Sequence, residues 1–497
     1  MIVSTTGVVR AVLAAGAGVG LVYAAMQAPG AVALGPAANA DTTRDGATST
    51  VRSSQLVCPG PELKGLAGLD DLPVDVTVAA AAAPVRALTG LSLPHDVGAF
   101  TIAGLAAGSK GVSGTARGVV ASTTAGNAAA LSVRGSQSLA PGLAATQSWL
   151  VDKGDQRGLG MAPCGRPAAD AWLLVGGGAP GRQERLVLTN PGDNPVTVDL
   201  TLHGAKGPVA SPNGKGVVVP SRGRTTVLLD SISGTETSPA VHVVTHGGSV
   251  HAVLNDFWLD GSVAAGSEDA VATAAPSRNQ VIAALPYDGK GTLRVAVPGD
   301  GEAVVQARAL TNTGPKALPG GGVVRVAGGT VRDISIDGLP IGVYGLQVRA
   351  DVPVVAAAFA PRRTDTDKPG DFAWSSSSEP VLGVAGTPVT RREFGTGIVG
   401  QAVVITSTGA GANVEVVMTD TAGTASSRRL DLAADTATRI DVGEATSVWV
   451  HRLAGKGQVR AGLVAVGRDD TGQVVSAMPL LDAALRTTSV GLLEIPE

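Results

Sequence analysis

Few residues in this chain have the types and spacing to do chemistry. Gly176-Gly177-Gly178-Ala179-Pro180-Gly181 matches G-x-G-x-x-G after a strand-like run. A dinucleotide cradle of this form needs a helix next, so that backbone N–H groups and the helix dipole meet a pyrophosphate. Pro180 and another alternating run follow instead, so a loop between strands is expected. His242, His246 and His251 are the densest histidine cluster. With Gly247-Gly248 as a two-residue turn, all three would lie on one face of a hairpin, His251 diagonal to the other two. At about 3.3 Å per residue, His242 and His246 would then stand roughly 13 Å apart, too far to share one zinc ion. A solvated sheet face is the expectation. Asp365, Asp367 and Asp371 with Gly370 share some spacing with a calcium loop, but Pro369 takes a ligand position and no bidentate Glu follows. A solvated turn is expected there.

Nucleophilic catalysis finds no support, since G-x-S-x-G is absent and neither cysteine is placed as a reactive thiol. Paired carboxylates for glycoside cleavage need flanking aromatics to hold sugar, and 5 Trp, 3 Tyr and 5 Phe leave few to spare. No catalytic, cofactor-binding or metal-binding residue is therefore assigned, and no cofactor is implied. The two cysteines, Cys58 in C-P-G-P and Cys164 in P-C-G-R-P, each occupy a rigid Pro/Gly setting. In an exported chain one disulfide is the simplest reading, with two free thiols as the alternative. Closing a loop of about a hundred residues would restrict the unfolded chain by on the order of 4 to 5 kcal/mol.

Composition describes short strands and frequent turns: Gly 68, Pro 30, charged residues 16%, aromatics 3%. With 38 basic against 41 acidic residues, no global field favours nucleic acid. At the N-terminus, Arg10 precedes an apolar run from Ala11 to Met26, and small residues end in Ala38-Asn39-Ala40. That is the pattern of a signal peptide over residues 1–40, and both cleavage and retention as a membrane anchor fit it. Either way the body is expected outside the cytoplasm, at the membrane or secreted.

The elements that position these residues are read from periodicity. Arg185 to Gly204, RLVLTNPGDNPVTVDLTLHG, alternates on both sides of an Asn/Pro/Gly/Asp cluster and reads as a β-hairpin. Its grammar recurs. Arg224–Asp230, Thr330–Asp337 and Thr438–Asp441 are alternating runs that stop at Asp, and Val241–Val244 with Val250–Leu254 reads as a closing hairpin repeated at Leu346–Ala358 and Val448–Leu463. The expected class is all-β, with tandem Ig-like β-sandwich modules over 172–261, 287–363 and 393–482; a β-propeller is the main competitor, and a period nearer ninety residues than forty-five favours sandwiches. Before them come an exposed linker, 41–55, and an irregular β domain, 56–164, whose Ala79–Ala83 run also fits a short helix. Segments rich in turn residues join the modules as semi-rigid links in a string of beads. Phe257-Trp258 and Asp371-Phe372-Ala373-Trp374 are expected to pack at the seams.

Taken together, the apolar N-terminus, Cys58-Pro59-Gly60-Pro61 with Cys164, the run WLLVGGG from Trp172 to Gly178, Leu188-Thr189-Asn190-Pro191-Gly192 and the D-F-A-W knot resemble an uncharacterised family of exported proteins from high-GC Gram-positive bacteria. The resemblance implies envelope location and β-rich modules, and it carries no site. The expected function is a non-enzymatic, exported or anchored envelope protein with structural or binding modules and an unknown envelope protein or glycan as partner. A cell-wall or carbohydrate-binding accessory protein would show a row of exposed aromatics. An envelope hydrolase would show a deep polar pocket with converging ionisable groups.

Overall fold

Leu186 and Leu188 face one core and Val196, Val198, Leu200 and Leu202 face it from the other side. The computed structural model, which describes residues 48–234 and 236–488, shows why. Arg182–Asn190 pairs with Gly223–Leu228 and His251–Asp260, whereas Val196–Gly204 pairs with Ala240–His246. The two runs therefore lie in opposite sheets, and the expected hairpin is an arch from one sheet to the other. Asn190 holds the corner: its Nδ2 donates to the carbonyls of Asn194 at 2.8 Å and Pro220 at 3.1 Å, and its Oδ1 accepts from Gly192 N at 2.8 Å. The expected closing hairpins are corrected in the same way, because Ala240–His246 and His251–Asp260 also belong to different sheets.

Leaving out the short strand Val217–Val219, which also pairs with the third, and numbering the other strands of this sandwich from Asp170–Leu173 to Val263–Val271, one sheet has the order 1-6-3-4 and the other 5-2-7-8. The same order recurs three more times. A first sandwich runs from Ser53–Cys58 to Gly158–Pro163, a third from Ser277–Tyr287 to Asp371–Ser376, and a fourth from Val384–Pro388 to Gln473–Pro479. In the third, strands six and seven are one continuous element, Gly342–Arg362, which pairs with Ala303–Thr311 in its first half and Thr292–Ala296 in its second. The all-β, tandem-sandwich expectation stands. The immunoglobulin order does not, because there the first strand lies beside the second, and here it lies beside the sixth.

Three further expectations are corrected. The stretch 56–164 is a regular sandwich of the shared order, and Val76–Ala82 is one of its strands rather than a helix. Its first strand starts at Ser53, inside the stretch expected as linker. The supposed connectors between modules contain Val263–Val271, Ser277–Tyr287, Asp371–Ser376 and Val384–Pro388, each the last or first strand of a sandwich. Residues 1–47, with the signal or anchor segment, lie outside the described residues; among those described, no helix is long and apolar enough to cross a membrane.

Burial explains why the chain is not a string of beads. Strand three alternates as expected for one wet face, with Val196, Val198 and Leu200 buried between exposed or half-buried neighbours. Strands two and seven are buried continuously, as in Glu184–Asn190 and His251–Phe257, which requires cover on both faces of their sheet. Neighbouring sandwiches give that cover. Phe257 joins the core of the first sandwich, Phe372 and Trp374 join that of the second, and Ala284 and Leu310 of the third pack on Val404 and Val464 of the fourth. The fourth then returns to the first through Val417 and Trp449 against Ala81 and Leu88. Residues 49–487 thus form one compact unit, a closed ring of four sandwiches.

Candidate functional site

At the centre of the ring the four eighth strands meet, each packed against the next in a circle. Every eighth strand is the edge of its sheet. An edge presents unpaired N–H groups, which need acceptors once buried. Two carboxylates supply them. Asp371 Oδ1 accepts from Phe372 N at 2.9 Å and Ser267 N at 3.3 Å, and Oδ2 from Val475 N at 2.9 Å and Leu159 N at 3.1 Å. One side chain therefore binds the backbone of all four sandwiches. Glu268 Oε1 accepts from Ser476 Oγ at 2.8 Å and Asp269 N at 3.0 Å, and Oε2 from Ala477 N at 3.2 Å. Small residues permit this approach: a Cβ on Gly266, whose φ is +128°, would stand 2.5 Å from Asp371 Oδ1.

Asp269 points the other way, accepting from Trp149 Nε1 and Asn255 Nδ2, each at 2.7 Å. Burial pushes Asp371 up to about 8, with the N–H groups of Val475, Phe372 and Leu159 pulling against it. Burial raises Asp269 to about 6 and lifts Glu268 well above the carboxylate range. Glu62 is also raised well above that range, first by burial and then by Asp269 beside it. Asp371 and Glu268 are spent on backbone amides in a packed seam, where they hold strands together, and Asp269 on two side chains, whereas the two carboxyl oxygens of Glu62 are buried without a hydrogen-bond partner.

A second charged cluster lies between sandwiches two and three. Arg182 Nε donates to Asp256 Oδ1 at 2.7 Å, and Trp374 Nε1 donates to the same carboxylate at 2.7 Å. The guanidinium stands 5.4, 5.2 and 5.4 Å from the ring centroids of Trp258, Phe359 and Phe372, so the two aromatic knots meet at one seam. The glycine loop sits at its rim. Gly177 N donates to Glu184 Oε1 at 2.8 Å, which fills the place a phosphate would take, and Gly176 O accepts from Arg294 Nη1 at 2.9 Å. Burial, then Asp256, pushes Glu184 up to about 8.

The histidines separate. His242 stacks on Trp172 at 4.3 Å and its Nε2 meets Asp170 Oδ2 at 2.8 Å, while His246 Nε2 lies 3.5 Å from Asp199. His251 is in the other sheet and buried, which presses it down to about 4. The shared hairpin face was wrong because the chain changes sheets between His246 and His251. Asp365 and Asp367 are exposed while Asp371 is buried at the hub, so the three do not form one loop site. Among the described residues no group of three or more His, Cys, Asp or Glu is placed to hold a metal ion. Cys58 and Cys164 are disulfide-bonded and clamp the two sheets of the first sandwich together. A disulfide agrees with an extracytoplasmic compartment.

Several clefts open at seams, including one of about 840 Å³ between the first and second sandwiches and one of about 610 Å³ between the third and fourth. One of about 980 Å³ lies between the third and fourth sandwiches, lined by Ile341, Val343, Ile398 and Val464. Its rim charges are paired with each other, Arg391 with Glu444 and Arg439 with Asp441. Another, about 480 Å³, lies between the second and third and includes Trp258, Phe359, Asp260, Asp288, Lys290, Arg363, Asp365 and the hub residue Asp371.

A family of unknown function, DUF5719, matches residues 119–443. The chain belongs to that family. The matched span takes in Glu268, Asp371 and the seam of Arg182, and it ends before Gln473–Pro479, the strand that completes the hub. No curated protein matches. Among solved structures, a glycoside hydrolase family 32 protein from Bifidobacterium adolescentis aligns at 11% identity over 90% of this chain and 98% of that one, with a TM-score of 0.13. A tetra-tandem repeat from the extending region of a large adhesion protein aligns at 12% identity over 80% and 94%, TM-score 0.10. E. coli alpha-2-macroglobulin aligns at 12% identity over 87% of this chain and 34% of that one, TM-score 0.12. At these scores none of the three bears on fold or function.

Proposed function

We propose that this DUF5719 chain is a non-enzymatic exported protein of the cell envelope, secreted or anchored through its N-terminal segment, and that its ring of sandwiches is a rigid platform for binding. One observation carries the reading: where ionisable groups converge, at Glu268, Asp269 and Asp371, they are buried and bound to the protein's own amides and side chains. A hydrolase needs such groups facing a substrate. The disulfide supports export. The test is to incubate the purified full chain with isolated envelopes and with ester, peptide and glycan substrates. Sedimentation with the envelopes and no turnover is expected. Steady turnover of any substrate, or a chain left wholly in the supernatant, overturns the reading. Location is tested separately with a membrane-impermeant amine reagent on intact cells, which should label the chain.

A further inference from the structure

Among the described aromatic side chains none is exposed, so the row of exposed aromatics expected of a carbohydrate-binding accessory protein is not there; every one is buried except Trp258 and Phe359, which are half-buried. Both line the same cleft of about 480 Å³ between the second and third sandwiches. In a chain with so few aromatics, leaving two rings half-open side by side forgoes apolar burial that the others obtain. The volume lies within the range of about 300 to 1,000 Å³ usual for small-molecule sites. Arg182, inside the seam, covers both rings from the protein side at 5.4 and 5.2 Å, and Trp258 Nε1 is fixed on Pro180 O at 3.3 Å. The platform is thus held rigid from behind.

The rim supplies polar groups of both kinds. Asp288, Lys290 and Asp365 line the cleft, and their side chains make no hydrogen bond or ion pair within the described protein. Arg363 is already engaged, its Nη1 with Asp260 Oδ2 at 2.7 Å and its Nε with Lys368 O at 3.0 Å, so it braces the loop that carries Asp365. Two unpaired carboxylates against one ammonium leave the rim slightly negative.

We propose that this cleft binds a saccharide unit of an envelope glycan, a neutral or amino sugar. A pyranose ring presents an apolar C–H face that stacks on an indole or phenyl ring, and hydroxyls that accept from Lys290 and donate to Asp288 and Asp365. The negative rim disfavours phosphorylated, sulfated or uronic sugars. The proposal rests on the reading of the chain as an envelope binding platform, which places it among such glycans.

The experiment titrates the full chain with short chito-, cello- and galacto-oligosaccharides, following tryptophan fluorescence and heat, and analyses the sugar afterwards by chromatography. At least one series should bind in the roughly micromolar to millimolar range. Because Trp258 also stacks on Arg182, Trp258→Ala is paired with the isosteric variant Asp288→Asn/Asp365→Asn, which removes no hydrogen bond or ion pair, only the charge of Asp288 near Arg362. Each should weaken binding at least about tenfold, and the isosteric variant should keep its melting temperature. Absence of binding to all three series, or binding that the isosteric variant leaves intact, overturns the site. Binding with cleavage of the sugar keeps the site and defeats the non-enzymatic reading. Sedimentation with envelopes without oligosaccharide binding defeats the site and keeps the platform.

Discussion

Asp371 concentrates the fold in one side chain, because its two oxygens satisfy backbone donors from four different sandwiches. Asp371→Ala leaves several buried N–H groups without acceptors, each costing about 1 to 3 kcal/mol, so we expect a loss of at least about 3 kcal/mol in chemical denaturation. Gly266→Ala should cost a similar amount, since its Cβ would press on the same carboxylate and its backbone has a positive φ. The hub also sets a pH dependence. An unfolded carboxyl titrates near about 4, while Asp371 and Glu184 are held at about 8 when folded. The folded state therefore carries extra protons in that window, and stability falls as pH rises through it. His251 acts oppositely: depressed to about 4, its contribution is present above about 6.5 and lost as pH falls through 4. The melting temperature should drop between about pH 6.5 and 8, and Asp371→Asn should flatten that slope. A melting temperature that climbs over this interval contradicts the assignment. None of this was legible in the sequence. Glu268-Asp269 and Asp371 look like ordinary surface acids there, and the one hint is that both sit in runs of small and aromatic residues.

At the scale of elements, the sequence displayed strands well and their partners badly. Val196, Val198, Leu200 and Leu202 show that one face is buried, but the same alternation serves a hairpin and an arch between sheets. The cluster from Thr189 to Pro195 was legible as a turn, and its length did not say which. Asn190 makes the difference, by donating to the carbonyl of Asn194 within the corner and to that of Pro220 in the second crossing between the same two sheets. Asn190→Ala should cost about 1 to 3 kcal/mol through the lost bonds of its buried side chain to the carbonyls of Asn194, Val219 and Pro220, whereas Asp193→Ala nearby, at an exposed ion pair with Arg222, should leave stability nearly unchanged. Equal losses would mean that the corner is not held as described. The continuous burial of strands two and seven could have warned against free-standing modules. Instead, Thr, Asn, Glu and Asp within them, as in Glu184 and Asn255, read as wet positions; they are buried because seams, not solvent, lie outside.

For the whole molecule, the repeat was legible, but three copies were seen where four exist. The first sandwich escaped notice because its strands are Ala- and Gly-rich, as in Val76–Ala82, and share little with the others beyond order. Nor does any local pattern announce that the fourth unit returns to the first. Arg86 with Glu415 at 2.9 Å and Thr419 Oγ1 on Gly118 O at 2.8 Å join residues some three hundred apart in sequence, 329 and 301. Replacing Cys58 and Cys164, separated by 106 residues, with Ser removes a constraint worth on the order of 4 to 5 kcal/mol in the chain-entropy account. Since the first sandwich contacts both neighbours, a single cooperative transition at a lower midpoint is expected. Separate melting of the first sandwich would show that the units are only loosely joined.

Val51 N donates to Leu485 O at 3.1 Å, and this clasp lies where the described body begins and finishes. A pull exerted between those two points would load the clasp together with the bonds from Ala483 to Val384 and from Gly142 to Ala484 beside it. Such a body resists being unravelled from one end, and as an inserted cassette it would keep the two halves of its host side by side.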